Sequence, residues 1–349
     1  MTGNGRDFSE GIKPIHCGEC SAGGSGAFEE QRFDVLAFGE ILIDFTFKGF
    51  NDAGMRLFSQ NPGGAPANVA VAVSRLGLKS AFVGKVGSDM HGDFLKEVLE
   101  HEGVDTSGLL FDQKCFTTLA FVSLDEKGER TFSFARKPGA DTQITSAEFP
   151  LDLLCQSKIL HVGSLSLTDS PARETTFSAL KQTKSAGVLV SYDPNYRESL
   201  WESEQTATEL IRQVLPFTDL LKVSREELPL LSDFSQEDKI IDSLFNCGIK
   251  LIAITDSGNG TYVYTRKGVV FEPCFDCQVK DTTGAGDSFW GAFLYKFIEG
   301  RLGFDELTPE KVKEYVRFAN VAASLCIEKE GAIPALATLE EVLKRLNQR

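Results

Sequence analysis

Positive charge is scarce in this 349-residue chain: 36 Lys and Arg stand against 50 Asp and Glu, a formal net charge of −14. Binding to a nucleic-acid backbone draws on many neutralising cations, so this balance argues against such a partner. Long apolar runs are also missing, and no stretch approaches the ~20 residues that a helical membrane span requires. The eight cysteines are scattered without the spacing of a disulfide framework, as in reduced, mostly buried thiols. Two pairs do have metal-ligand spacing, Cys17-x-x-Cys20 after His16 and Cys274-x-x-Cys277. The first lies in a Gly/Ser-rich tail and the second in a stretch that reads as a strand leading to Asp281, so a zinc site is not the expected reading. No Walker-type phosphate loop is present, because Gly84-Lys85 lacks both the upstream Gly and the following Ser/Thr. The dinucleotide fingerprint is absent too: the Gly-x-Gly string at Gly284 carries Phe289 where its third Gly belongs. The N-terminus has neither an apolar signal core nor an Arg-rich transit character, which makes the cytoplasm the expected location.

The length is ordinary for one large α/β domain with a sizeable core. Residues 1–31 are rich in Gly and Ser without periodicity and read as a flexible leader. From Phe33 an apolar run reads as one buried strand ending on Asp44, a carboxylate placed where a parallel strand meets a ligand crevice. Its plain alternative is a turn Asp. Further strands are expected at Ile159–Val162, Val188–Tyr192, Leu220–Val223, Leu251–Thr255 and Tyr262–Thr265, and helices over Ser170–Ser185, Thr206–Leu215 and Glu310–Ile327. Strands alternating with helices predict a doubly wound, mostly parallel sheet with ligands at the strands' carboxyl ends. Thr117–Arg136 differs: residues alternate on either side of Asp125–Glu129, the pattern of an antiparallel hairpin.

Two glycine-rich strings carry the chemistry. Asp281-Thr-Thr-Gly-Ala-Gly-Asp287 runs directly into the apolar helical stretch Ser288–Ile298. Gly284, Ala285 and Gly286 let the backbone approach a ligand, and a helix start offers unpaired amides and a positive dipole end to a phosphate. Asp287, in the first turn, is placed to take a proton from a hydroxyl beside that phosphate, which phosphoryl transfer to an alcohol requires. A bland reading also exists, in which the glycines make a turn and Asp287 merely caps the dipole. The second string is Gly63-Gly-Ala-Pro-Ala-Asn-Val-Ala70, followed by Gly77, Gly84 and Gly87. Asn68 can donate to and accept from hydroxyls. Close helix–sheet packing accounts for the same small residues.

Taken together, these strings resemble both signatures of the ribokinase-like (PfkB) carbohydrate kinases, over roughly residues 33–345, and most closely those of its fructokinases. The resemblance implies an α/β fold with helices flanking a mostly parallel sheet, and a small antiparallel β lid built from about 45–60 and 114–137, within a kinase domain over 32–349. It implies a sugar site formed by Asp44, Gly63, Gly64, Asn68 and Arg197, the last in the turn Asp193-Pro-Asn-Tyr-Arg197 after a strand. Arg136 and Lys137 read equally as a solvated edge or as a substrate contact, and Arg136 is taken as the contact. Asp287 is implied as catalytic base, with Gly284, Ala285 and Gly286 as the anion cradle.

For ATP the resemblance points to Ser224 and Glu227, although the family usually has Asn where Ser224 stands. The same pair reads as a helix-capping box. Thr255, Gly258 and Gly260 match a nucleotide loop that also reads as a plain hairpin turn, with Ser257 where the family has Gly. Asn320 matches a position beside the adenine. Asp281, Thr283 and Gly331, the last in Gly331-Ala-Ile-Pro334, match a segment that binds a monovalent cation, K+. The implied reaction is Mg2+-dependent transfer from ATP to a primary hydroxyl, fructose going to fructose 6-phosphate. Partners are then the sugar, ATP and a second copy joined through the lid. Aminoimidazole riboside kinase, 2-keto-3-deoxygluconate kinase and ribokinase remain as alternatives within the family, and a non-catalytic sugar sensor outside its chemistry.

Overall fold

The computed structural model describes residues 31–124 and 130–348. The leader, with Cys17 and Cys20, lies outside them except for Gln31, and so does the turn at Asp125–Glu129. The chain opens with β1 (Phe33–Phe38), β2 (Leu42–Phe50) and β3 (Arg56–Gly63), then α1 (Ala65–Arg75), β4 (Ser80–Gly87), α2 (Met90–His101) and β5 (Asp105–Asp112). A hairpin of β6 (Leu119–Leu124) and β7 (Arg130–Ala135) follows. Next come α3 (Leu151–Cys155), β8 (Ser157–Val162), α4 (Ala172–Ala186), β9 (Leu189–Tyr192), α5 (Glu204–Val214) and β10 (Leu220–Ser224). The remainder is α6 (Glu237–Asn246), β11 (Leu251–Asp256), β12 (Gly260–Thr265), β13 (Gly268–Pro273), α7 (Ala285–Gly300), α8 (Pro309–Ile327) and α9 (Leu339–Leu346).

Nine strands form one sheet in the order β13-β12-β11-β10-β9-β8-β1-β4-β5. Pairing is parallel from β5 through β11 and antiparallel only at β11–β12 and β12–β13. Covered on both faces, the parallel strands read as continuous apolar runs, which is why the expected strands at 159–162, 220–223 and 251–255 coincide with β8, β10 and β11. One apolar layer joins the sheet to α3, α4, α5 and α6, and a second joins it to α1, α7, α8 and α9. Among the described residues no helix is long and apolar enough to cross a membrane.

Three expectations need correction. The run from Phe33 to Asp44 is two strands in two sheets, broken at Gly39–Ile41, where Gly39 packs on the Pro66 ring. Asp44 therefore sits on β2, outside the main sheet. The small sheet has the order β3-β2-β6-β7 and spans 42–63 and 119–135; it is mixed rather than antiparallel, because β2 and β6 run parallel with Ile43 opposite Leu119. The chain leaves β3 through α1, β4, α2 and β5 before β6 begins, and this long crossover, in place of a tight turn, lets β6 pair with the other edge of β2 in the direction of β2. Cys274 and Cys277 follow the end of β13 rather than lying in a strand.

α7 is buried around nearly its whole circumference, as expected of a helix that is apolar on every side. It packs on α1 through small residues: a Cβ on Gly291 would lie 2.5 Å from the Ala72 methyl. Trp290 ties α7 to the sheet, its indole N–H donating to Ser191 Oγ at 2.7 Å. Ser191 Oγ is also hydrogen-bonded to His161 Nδ1, at 2.9 Å. Burial pushes the His161 pKa down to about 3, with Lys222 acting in the same direction, so the imidazole is neutral.

Candidate active site

A cavity of about 370 Å³ opens where the strand order reverses beside β1, at the carboxyl ends of β1, β8 and β9. Open α/β sheets place ligands at such a switch point because the loops there diverge to opposite faces. Glu40 enters it from the end of β1, Leu165 from beyond β8, and Asn195 and Arg197 from beyond β9. The small sheet contributes Leu42, Asp44 and Phe134. Two helix starts complete the wall, α1 with Gly64, Ala65 and Asn68, and α7 with Gly284 and Asp287.

The close α1–α7 approach is what brings the two glycine strings together, although they are more than two hundred residues apart. Asn68 Nδ2 donates to Asp287 Oδ2 at 2.7 Å. The Asn68 carbonyl oxygen is buried without a partner among the described residues and is open to a ligand hydroxyl. Gly284 caps α7 in the left-handed region, φ 76°, which turns the chain into the helix where a side chain would be strained. The cradle differs in one respect from expectation. The Ala285 amide donates to the Thr282 carbonyl at 3.3 Å, whereas those of Gly286 and Asp287 have no acceptor among the described residues. The first-turn amides left for an anion are therefore Gly286 and Asp287, not Ala285.

Burial is the main cause of a raised Asp287 pKa; the Lys222 charge, the Asn68 hydrogen bond and the Arg197 charge oppose it, while Glu227 adds to it. A carboxylate raised above its ordinary range by burial is a stronger proton acceptor, and the cations and the donor keep it ionised. Lys222 is a functional residue that sequence reasoning missed. Its Nζ lies 2.8 Å from Asp193 Oδ2, fully buried, and a Cβ on Gly286 would come within 2.8 Å of the same ammonium. Burial pushes Asp193 up to about 6 against the pull of Lys222, with Glu227 and Asp287 pushing the same way. Burial would lower Lys222, but Asp193, Glu227 and Asp287 carry it above its ordinary value, so it stays charged beneath the cradle. A lysine inside the apolar run Leu220–Val223 was the available signal, since an interior strand does not bury a cation without a partner.

Of the expected sugar residues, Asp44, Gly64, Asn68 and Arg197 line the cavity. Gly63 does not line it but packs against the Asp44 carboxylate, where no side chain fits. Arg136 is a correction. Its guanidinium donates to Asp141, Thr168 Oγ1 and the Leu165 carbonyl, and Asp141 also pairs with it at 2.7 Å. With these donors engaged and its side chain buried, Arg136 knits β7 to the loop after β8 and does not face the cavity. Glu40, Leu42, Phe134, Leu165 and Asn195 were not expected there.

Further along the same edge, Glu227 locks the turn that carries Arg197. Its Oε1 accepts the Tyr196 amide at 2.5 Å, and its Oε2 accepts the Ser224 amide at 3.0 Å and hydroxyl at 2.7 Å. The Glu227 amide donates back to Ser224 Oγ at 3.3 Å, which is the reciprocal pattern of a capping box. Thr255 is the penultimate residue of β11, Gly258 lies in the β11–β12 hairpin turn, and Gly260 begins β12 opposite Asp256. The Asn320 amide donates to the Glu272 and Pro273 carbonyls and its oxygen accepts from Thr261, so it clamps α8 to the β12–β13 hairpin. Its polar atoms are engaged internally rather than turned to a base. Asp281, Thr283 and Gly331 do converge, with the Asp281 carboxylate accepting the Thr283 amide at 2.9 Å and the Gly331 amide at 3.0 Å. Among the described residues no cluster of three or more His, Cys, Asp or Glu is arranged to hold a metal ion.

The model of the pfkB family carbohydrate kinases matches residues 32–339. The chain is 42% identical over 319 residues to probable fructokinase-5 of Arabidopsis thaliana, covering 90% of this chain and 98% of that protein. Among solved structures, a fructokinase with bound ATP from Xylella fastidiosa superposes with a TM-score of 0.84 at 37% identity, over 90% of this chain and 98% of that one. A fructokinase double mutant from Vibrio cholerae O395, with fructose, ADP and a potassium ion bound, superposes at 0.79 with 32% identity, over 91% of this chain and 99% of that one.

Proposed function

The chain belongs to the pfkB family of carbohydrate kinases, and on that premise we propose that it transfers the γ-phosphoryl group of ATP to the C6 hydroxyl of fructose, giving fructose 6-phosphate. The observation that carries this reading is the buried Asp287 carboxylate beside two unused helix-start amides in a cavity rimmed by hydroxyl-binding groups. Asp44, Gly64, Asn68 and Arg197 hold the sugar. Asp287 accepts the hydroxyl proton as that oxygen attacks the γ-phosphorus, and the Gly286 and Asp287 amides receive charge on the transferring group. Lys222 beneath Gly286 adds a fixed positive charge to the same place. Mg2+ bound with ATP would supply positive charge that offsets its phosphates. The hairpin turn at Thr255–Gly260 and the Ser224–Glu227 turn lie at the next strand ends and form the nucleotide side.

The convergence of Asp281, Thr283 and Gly331 behind the cradle supports a K+ site there, whose occupancy would stiffen the start of α7. The small sheet and its β2–β3 turn expose Phe50, Met55, Leu57, Phe58 and Phe121, and Phe58 and Phe121 meet edge to face, which supports a homodimer through the lid in a cytoplasmic enzyme. A carboxylate-bearing sugar acid is a poorer fit, because Arg136 is committed to Asp141.

Turnover of fructose, ribose, ketodeoxygluconate and a purine-pathway riboside, measured as ADP release with Mg-ATP, tests the assignment. The highest kcat/KM is expected for fructose, and Asp287→Asn is expected to lower kcat by about 10²–10⁴-fold with the fold retained. A different preferred sugar, or sugar binding without transfer, refutes it.

A further inference from the structure

Glu40 is a charged cavity residue that this reaction leaves without a task. It follows β1 at the bend into the lid and is 3% exposed. Its Oε1 accepts the amide of Ala65, the first residue of α1, at 3.1 Å. Oε2 is buried and has no partner among the described residues. A buried carboxylate oxygen without a donor is costly, and native folds rarely keep one unless something else supplies the donor. Among the described residues no cation does so: Arg136 is the nearby candidate, and its guanidinium is taken by Asp141, Thr168 and Leu165. Burial pushes the Glu40 pKa up to about 7 and Asp141 adds to the rise, while Glu40's own backbone amide, then Arg136 and the Ala65 amide, oppose it. A carboxyl so poised gains most from a donor that arrives with the ligand. Asp44, Asn68 and Asp287 share its cavity, so that ligand is rich in hydroxyls.

We propose that Glu40 Oε2 accepts a hydroxyl of the bound sugar, making Glu40 a specificity-determining contact that sets the sugar's register against Asp287. This rests on the sugar kinase reading above. The geometry adds a reason for the position. Gly64 could not carry a side chain, since its Cβ would lie 2.5 Å from the Glu40 carbonyl oxygen, so the start of α1 is seated on this residue. One carboxylate thus holds the helix that bears Asn68 and, with its other oxygen, the substrate.

Steady-state kinetics on the full chain with fructose and its monodeoxy analogues, for wild type and Glu40→Gln, tests the contact. Glutamine keeps an acceptor for the Ala65 amide and removes the charge. Loss of a hydrogen bond to a charged group corresponds to about 10–100-fold in affinity. The expected result is a rise of that size in KM for fructose with kcat nearly unchanged. One deoxy analogue should lose the same factor with wild type and lose nothing further with Glu40→Gln. An unchanged KM, or a deoxy penalty equal in both proteins for every analogue, overturns the inference. So does a fall in kcat and melting temperature at constant KM, which marks Glu40 as a seat for α1 alone. Should Glu40→Gln not fold, Glu40→Asp, which retracts the carboxylate by one methylene, is read by the same criteria. A wild type that phosphorylates no sugar refutes the function; fructose titration by calorimetry then decides on Glu40 alone, and equal affinity for wild type and variant, or no binding to either, overturns it.

Discussion

Replacing Asn68 by alanine separates the tuning of Asp287 from its identity. Asn68 is 4% exposed, and its amide is the hydrogen-bond donor to Asp287, at 2.7 Å. The bond stabilises the ionised carboxylate against the burial that raises its pKa, so its loss must raise that pKa further. A hydrogen bond to a charged group is worth about 1.5–3 kcal/mol, and one pKa unit corresponds to about 1.4 kcal/mol. The acid limb of the kcat–pH profile is therefore expected to move up by about 1–2 units. Since the base acts in its ionised form, turnover in Asn68→Ala should be depressed at neutral pH and recover as the pH is raised. KM for the sugar should rise independently of pH, because the unpaired Asn68 carbonyl oxygen is lost as well. Coupled ADP-release assays from pH 5 to 9 read both parameters, with Asp287→Asn as a control that has no limb to shift. An acid limb unmoved in Asn68→Ala would refute the placement of Asp287 as a base held ionised by Asn68.

Lys222→Met should destabilise the fold by about 3–5 kcal/mol in urea melts, since it strands a buried Asp193. The stranded carboxyl has a pKa above its unfolded value, so the stability it retains when protonated is lost as the pH rises, and the deficit should be larger at pH 8 than at pH 5; a pH-independent deficit would remove the Lys222–Asp193 pair as its cause. Gly64→Ala places a methyl against the Glu40 carbonyl oxygen at a φ of 110°. It is expected to cost about 1–3 kcal/mol or more and to abolish sugar binding, whereas wild-type melting and KM would contradict the seating of α1. Glu40 keeps its proton to about pH 7 when folded but only to 4.5 when unfolded. Its contribution is thus favourable in acid and lost through pH 7, by about 3 kcal/mol in all. Glu40→Gln without ligand should be the more stable protein at pH 8.5, with the gap narrowing towards pH 5; a variant less stable at both pH values would show that the carboxylate is not strained.

Much of this was legible in the one-dimensional pattern. Strands β8, β10 and β11 announced themselves as short apolar runs, and α7 as an apolar stretch opening on two glycines, because periodicity and small-residue spacing are local properties. The break at Gly39 was not legible, since β1 and β2 are each apolar and only the choice of partner sheet separates them. Arg136 and Asn320 looked available because their side chains are polar; the structure spends both on carbonyls and carboxylates from other segments. Lys222 and Glu40 were visible as charges inside apolar runs, an anomaly that marks a buried ionic site even before its partner is known.

By itself the sequence determined the class of fold, the helix start that cradles an anion, and the carboxylate placed in its first turn, because each follows from residue types a few positions apart. Only the tertiary structure decided that Asn68 meets Asp287, that Lys222 pairs with Asp193 under Gly286, and that one oxygen of Glu40 is left without a donor among the described residues. Those are distances between segments brought together by α1 packing on α7 and by adjacent strands in the sheet, and no spacing along the chain encodes which polar group finds which partner in a dry interior.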